Sequence, residues 1–159
     1  MHETITPGEA GARARRRFET GGLLCAESVA VSVAEALGLD APLLPRMATG
    51  LCAGLCRNRG TCGALLGGML AMGLARGRDT PEEKYDDLFA LAGGLVAAFR
   101  ERFGSDNCLE LTGCDLGDAE GQRRFAEEKV KQNKCLDFVE FAAAVSVERL
   151  AQAGPQKSS

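Results

Sequence analysis

Tryptophan is absent from this chain, and tyrosine and histidine occur once each. The one histidine, His2, lies in a segment that reads as a loose arm. A Ser–His–Asp catalytic triad, which needs an oriented imidazole, therefore has no candidate. No CxxCH run occurs, so covalent haem attachment has no site, and haem is not expected. No GxxxxGK[ST] stretch is present to cradle a phosphate. CxxC is missing too, although zinc sites and disulfide oxidoreductases usually carry it.

Long hydrophobic runs are also lacking. The longest, Cys62 to Ala75 and Leu88 to Phe99, fall short of the ~18 residues of a membrane-crossing helix and read as buried helices. The first twenty residues hold no apolar core of the kind a secretory signal has. A cytoplasmic protein without a membrane partner is expected. Net charge is −3, too mild to indicate a partner. The basic run Arg13–Phe18 (RARRRF) has acidic neighbours, so it reads as a solvated face and nucleic acid is not expected as a partner. Asp86-Asp87 and Glu82-Glu83 read as helix-start acids, not as a paired-carboxylate site.

No segment alternates apolar and polar residues long enough for a strand, and no internal repeat is visible. Helical spacing is plain instead. Leu24, Val29, Val31, Val33, Ala34 and Leu37 mark a first long helix that Gly38 stops. A second helix is expected within "LDAPLLPRMATGLCAGL", and a third from Thr61 as N-cap to about Ala75. Thr80-Pro81-Glu82-Glu83 has the form of a helix start, giving a fourth helix that continues to about Arg102. Helices over Gln122 to Lys131 and from Cys135 complete the reading. The expectation is an all-α, single-domain bundle of about five to six helices over residues 21–152. A flexible N-terminal arm (1–20, turning helical toward Arg13–Glu19) and a disordered tail (153–159) flank it. Gly67-Gly68 and Gly93-Gly94 lie inside helices, where each glycine costs ~1 kcal/mol against alanine. Close backbone approach would offset that cost, so the third and fourth helices are expected to touch there.

What the chain has in excess is cysteine: seven residues, an odd number. In a reducing compartment these do not read as a structural disulfide framework. Metal binding, redox chemistry and plain packing remain. Four of the seven share a context. Cys25, Cys62, Cys108 and Cys135 each fall at an expected helix start, and Cys135 also follows Lys131 and Lys134. A helix start carries roughly half a positive charge and free N–H groups, both of which favour thiolate. Four such starts would offer about two positive charges, against the two negative charges of an oxidised two-iron, two-sulfide cluster on four thiolates. Gly63, Ala64 and Ala26 leave room for an inorganic core; Gly63 and Gly67 are the candidate cofactor-flanking residues. Cys52 and Cys56, four apart, read as small packing residues on one helix face. Cys114 sits in a turn as a spectator or an extra ligand.

The succession of Cys25 in "GGLLCAESV", "TCGALLGG", Cys108 in "DNCLELTGCDL" and Cys135 resembles the redox-active proteins named for the pattern C, GCAxxG, C, C. The resemblance spans about Phe18 to Leu150. The chain departs from the pattern in reading Cys-Gly-Ala-Leu-Leu-Gly at Cys62–Gly67, in having Cys52 and Cys56 where small residues are expected, and in the additional Cys114. Similar domains occur in split-Soret cytochromes beside a non-haem iron–sulfur centre. The resemblance implies a helical fold and a redox role. The expected function is electron transfer through an iron–sulfur cluster, [2Fe–2S], on Cys25, Cys62, Cys108 and Cys135. Its expected partners are a redox partner protein and a second copy in a homo-oligomer, a dimer. An electron-transfer accessory protein fits better than an enzyme with its own substrate. The alternatives are a thiol–disulfide protein using cysteine pairs, a zinc site and a non-catalytic helical binding module.

Overall fold

The computed structural model describes residues 4–154. Among them, α1 (Pro7–Glu19), α2 (Cys25–Ala36), α5 (Gly63–Arg76), α6 (Asp86–Phe103) and α9 (Leu136–Gln152) form the body of the molecule. The short helices α3 (Leu44–Thr49), α4 (Cys52–Arg57), α7 (Cys108–Thr112) and α8 (Ala119–Glu127) link them, and a π turn (Lys131–Cys135) leads into α9. The described residues contain no strand, so the class is all-α as expected. The described residues form nine α-helices in place of the expected five to six. Helices of five or six residues span fewer than two turns, too few for an apolar period to register.

The expected N-terminal arm is, from Pro7, a packed helix. Thr6 accepts the Glu9 N–H while the Glu9 carboxylate accepts the Thr6 N–H at 2.7 Å, a capping box reinforced by Pro7 in the first turn. Ala10, Gly11, Ala14 and Phe18 form its buried stripe. A Cβ on Gly11 would stand 2.8 Å from the Glu140 carbonyl, so α1 and α9 approach backbone to backbone. Of the basic run read as a solvated face only Arg16 is exposed; Arg13, Arg15 and Arg17 are half-buried and paired. Arg15 bonds Asp137 and Glu140, while Arg13 and Arg17 bond Glu35. A stripe of alanine and glycine is a weak hydrophobic signal, which hid this helix. Met1 to Glu3, including His2, and the tail residues 155–159 lie outside the described residues.

Helix α9 packs against α1, α2, α5 and α6. Val29, Val33, Leu65, Met72, Leu95, Phe99 and Val139 fill the space between the long helices with no exposed surface. Phe99, Phe103, Phe138 and Phe141 stack at one end with ring centroids 4.8–6.2 Å apart.

Helices α5 and α6 touch, but their glycine pairs do not face each other. Gly67 lies against α2, where a Cβ would stand 2.4 Å from the Ala26 carbonyl oxygen. Gly68 admits Leu95 of α6 and Ser146 of α9, Gly94 admits the Arg149 side chain, and Gly93 meets nothing within 4 Å. The expected start of α6 at Thr80-Pro81 is also displaced. The Glu83 carboxylate turns back to the Asp79 N–H at 2.9 Å and closes a turn, so the helix begins at Asp86.

The second expected helix changes hand. After right-handed α3, residues Ala53, Gly54, Leu55 and Cys56 of α4 all have φ between 53° and 60° and ψ between 41° and 71°. This is a turn of left-handed helix, which costs L-residues ~1–2 kcal/mol each. The face shared by residues four apart in a right-handed helix therefore does not describe Cys52 and Cys56.

Candidate functional site

A cavity of about 540 Å³ opens among α2, α4, α5, α7 and the π turn. Six of the seven cysteines line it: Cys25, Cys52, Cys56, Cys62, Cys108 and Cys135. Cys114, 1% exposed, lies behind that lining, beside the left-handed Gly113. All four cysteines expected at the site thus reach one space from well-separated parts of the chain.

A small backbone junction brings Cys62 and Cys108 side by side. Thr61 and Asn107 form an antiparallel bridge. Cys62 N–H donates to the Asp106 carbonyl at 2.7 Å and Cys108 N–H to the Gly60 carbonyl at 2.9 Å. The Asn107 amide donates to the Arg59 carbonyl at 2.7 Å. Its oxygen caps α7 by accepting the Glu110 N–H. Cys62 is the N-cap of α5, one residue earlier in the helix than expected. Burial pushes its thiol up to about 12, the N–H groups of Ala64 and Leu65 pull it down, and the sulfurs of Cys108 and Cys135 raise it. Burial also raises Cys108, helped by Cys114.

Cys135 stands directly before α9, near the expected start of the last helix, but not at a free helix end. The backbone from Val130 through the π turn into α9 is continuously helical, and Cys135 ends the π turn. Such turns re-aim side chains and recur at functional sites. Its thiol is pushed up to about 12, first by burial and then by Cys108, while Lys134 and Lys131 oppose the shift. The expected sum of four helix starts is therefore too large. Cys135 has lysines where a helix start was expected, and α7 behind Cys108 is five residues long. Arg57 and Lys131 line the cavity, and the lining includes no carboxylate. Positive charge comes from side chains as much as from helix ends.

Cys25 begins α2 as expected. Buried Glu27 fixes this helix end by accepting from the Leu24 N–H at 2.8 Å and from the Thr49 hydroxyl at 2.7 Å, which ties α2 to α3. Cys52, read from sequence as packing, stands beside Cys25. Hydrogen bonding to Cys25, then burial, drives its thiol pKa far up, against the N–H groups of Ala26 and Glu27. Its Sγ also donates to the Ala48 carbonyl at 3.4 Å. Spacing could not reveal this pair, because Cys25 and Cys52 lie on separate helices that meet only in the packing of α3 and α4 on α2. Cys56 is exposed and donates to the Gly50 carbonyl at 3.2 Å. Gly63 lines the cavity, whereas Gly67 serves the α2–α5 contact. Among the described residues, no three His, Cys, Asp or Glu side chains converge tightly enough to hold a single ion directly. The cysteines ring a space instead of meeting at a point.

The described residues thus form an all-α protein whose helices gather cysteines from distant segments around one cavity. The model of the family described as "Putative redox-active protein (C_GCAxxG_C_C)" matches residues 23–149, and the chain belongs to that family. It is also similar to an uncharacterized protein of Archaeoglobus fulgidus, with 32% identity over 136 residues, covering 79% of this chain and 83% of that protein. No solved structure matches it. No helix among the described residues is long and apolar enough to cross a membrane.

Proposed function

We propose that the cavity holds an iron–sulfur cluster, [2Fe–2S], on Cys25, Cys62, Cys108 and Cys135, and that the protein passes single electrons to a redox partner protein. The observation that carries this reading is the common cavity: four cysteines from separate parts of the chain line it, with Arg57 and Lys131 and no carboxylate. The donor set suits the group, since four thiolates are the usual ligands of such clusters. A ring of sulfurs around a space suits a binuclear core better than a single zinc ion, which draws its ligands to ~2.3 Å. When bound, the cluster would supply one-electron reduction and oxidation.

The chain's own part is to bind and to tune. The N–H groups of Ala64 and Leu65 at the start of α5 favour negative charge on the Cys62 sulfur. Lys131 and Lys134 do the same for Cys135 through space. The apolar walls of Phe18, Leu111, Phe138 and Val139 limit water and thereby set the potential. Deprotonation of the buried thiols is unfavourable without a cation, so cluster binding and thiol ionisation are coupled.

The test is anaerobic purification, a visible spectrum, and assays for iron, acid-labile sulfide and zinc. Iron with sulfide is expected. Cys62→Ser should abolish the chromophore, and Cys56→Ser should leave it. A Cys62→Ser protein with full iron and sulfide content contradicts the ligand assignment.

A further inference from the structure

Cys25 and Cys52 converge on the space left by one missing methyl group. The Cys25 Sγ lies 2.4 Å, and the Cys52 Cα 3.1 Å, from the point where a Cβ on Gly63 would stand. Both cysteines line the cavity, Cys25 half-exposed and Cys52 3% exposed. Cys62, Cys108 and Cys135 form a different neighbourhood, in which Cys108 raises both of the others.

We propose that Cys25 and Cys52 are a dithiol–disulfide couple that exchanges with small-molecule disulfides entering the cavity, and that its oxidised form withdraws Cys25 from the cofactor. The second half rests on the cluster reading above; the first does not. The accessible Cys25 attacks, as thiolate, one sulfur of an external disulfide RSSR. That S–S bond breaks, a mixed disulfide Cys25–S–S–R forms, and the departing RS⁻ takes up the proton that Cys25 has lost. Cys52 then gives up its proton and attacks the Cys25 sulfur. The second RS⁻ leaves with that proton as RSH. Two protein thiols are oxidised to one disulfide and one external disulfide is reduced to two thiols, so electrons and protons balance. Gly63 leaves the Cys25 sulfur room to approach Cys52.

The experiment uses the full chain, reduced and metal-free. It is treated with oxidised glutathione in the absence of oxygen, quenched with an alkylating agent and mapped by peptide mass spectrometry. A Cys25–Cys52 cross-linked peptide and the loss of both thiols from the alkylated pool are expected. Cys52→Ser should stop at a glutathione adduct on Cys25. Cys25 linked to another cysteine, or both residues alkylated after other cysteines have oxidised, overturns the couple. The wild-type map needs no variant and stands even if Cys52→Ser folds poorly. A second arm offers iron and sulfide to the oxidised and the reduced protein. Loss of uptake on oxidation, restored by a reductant, supports the withdrawal of Cys25, and equal uptake overturns it. If even the reduced protein and reduced Cys52→Ser take up neither iron nor sulfide, the cluster reading fails while the disulfide map still decides the couple.

Discussion

Replacing Ala53 by glycine should make this protein more stable, against the usual cost of glycine in a helix. Ala53 has φ 53° and ψ 46° and is followed by three more left-handed residues. An L-residue there carries ~1–2 kcal/mol of Cβ strain that glycine does not. Two terms oppose the gain. Glycine enlarges the conformational freedom of the unfolded chain, which costs ~0.4–1 kcal/mol. Removing a half-buried methyl costs ~0.4 kcal/mol, taking half of the value for a fully buried group. The balance is a stabilisation of ~0.5 kcal/mol. Ala97 provides the control, being exposed inside right-handed α6, where Ala97→Gly should destabilise by ~1 kcal/mol. The same chemical change at two positions should therefore differ by ~1.5 kcal/mol, about 3–6 °C in melting temperature. Urea unfolding and thermal melts of the reduced, metal-free protein, followed by far-UV circular dichroism, measure both. Equal losses for the two variants would refute the left-handed assignment of α4 and the strain attributed to it.

The glycines make a second matched pair. Gly93→Ala, with nothing within 4 Å of its Cβ, should gain ~1 kcal/mol of helix propensity. Gly67→Ala would drive a methyl into the Ala26 backbone and should lose ~1–3 kcal/mol of stability in the same urea titration. Glu35 loses solvation on folding, but Arg17 and Arg13 outweigh that and hold its pKa below the usual carboxylate range. A depressed carboxylate contributes stability above its unfolded pKa and loses it as pH falls through the folded value. Glu35→Gln should therefore be less stable than the parent near neutral pH, with the gap closing as pH falls below about 4; a gap that persists in acid, in pH-resolved urea midpoints, contradicts the ion-pair account.

Local chemistry determined much of this protein before any folding was considered. Helical spacing from Leu24 to Leu37, and the lack of any run alternating apolar and polar residues, pointed to the all-α class, because amphipathic period is a property of consecutive residues. Glycine and alanine around Cys62, an asparagine before Cys108 and lysines before Cys135 marked those cysteines as candidates, again from near neighbours. Only tertiary structure decided which sulfurs share a space. Cys52 joins Cys25 because α3, packed on α2, brings the chain to the head of α2, and Cys62 meets Cys108 through the Thr61–Asn107 bridge. The packed helix α1 likewise depends on a distant groove on α9 that accepts small residues. Propensity acts over a few residues, whereas cavities, close backbone approach and sustained left-handed backbone exist only when distant segments press together and offset their cost.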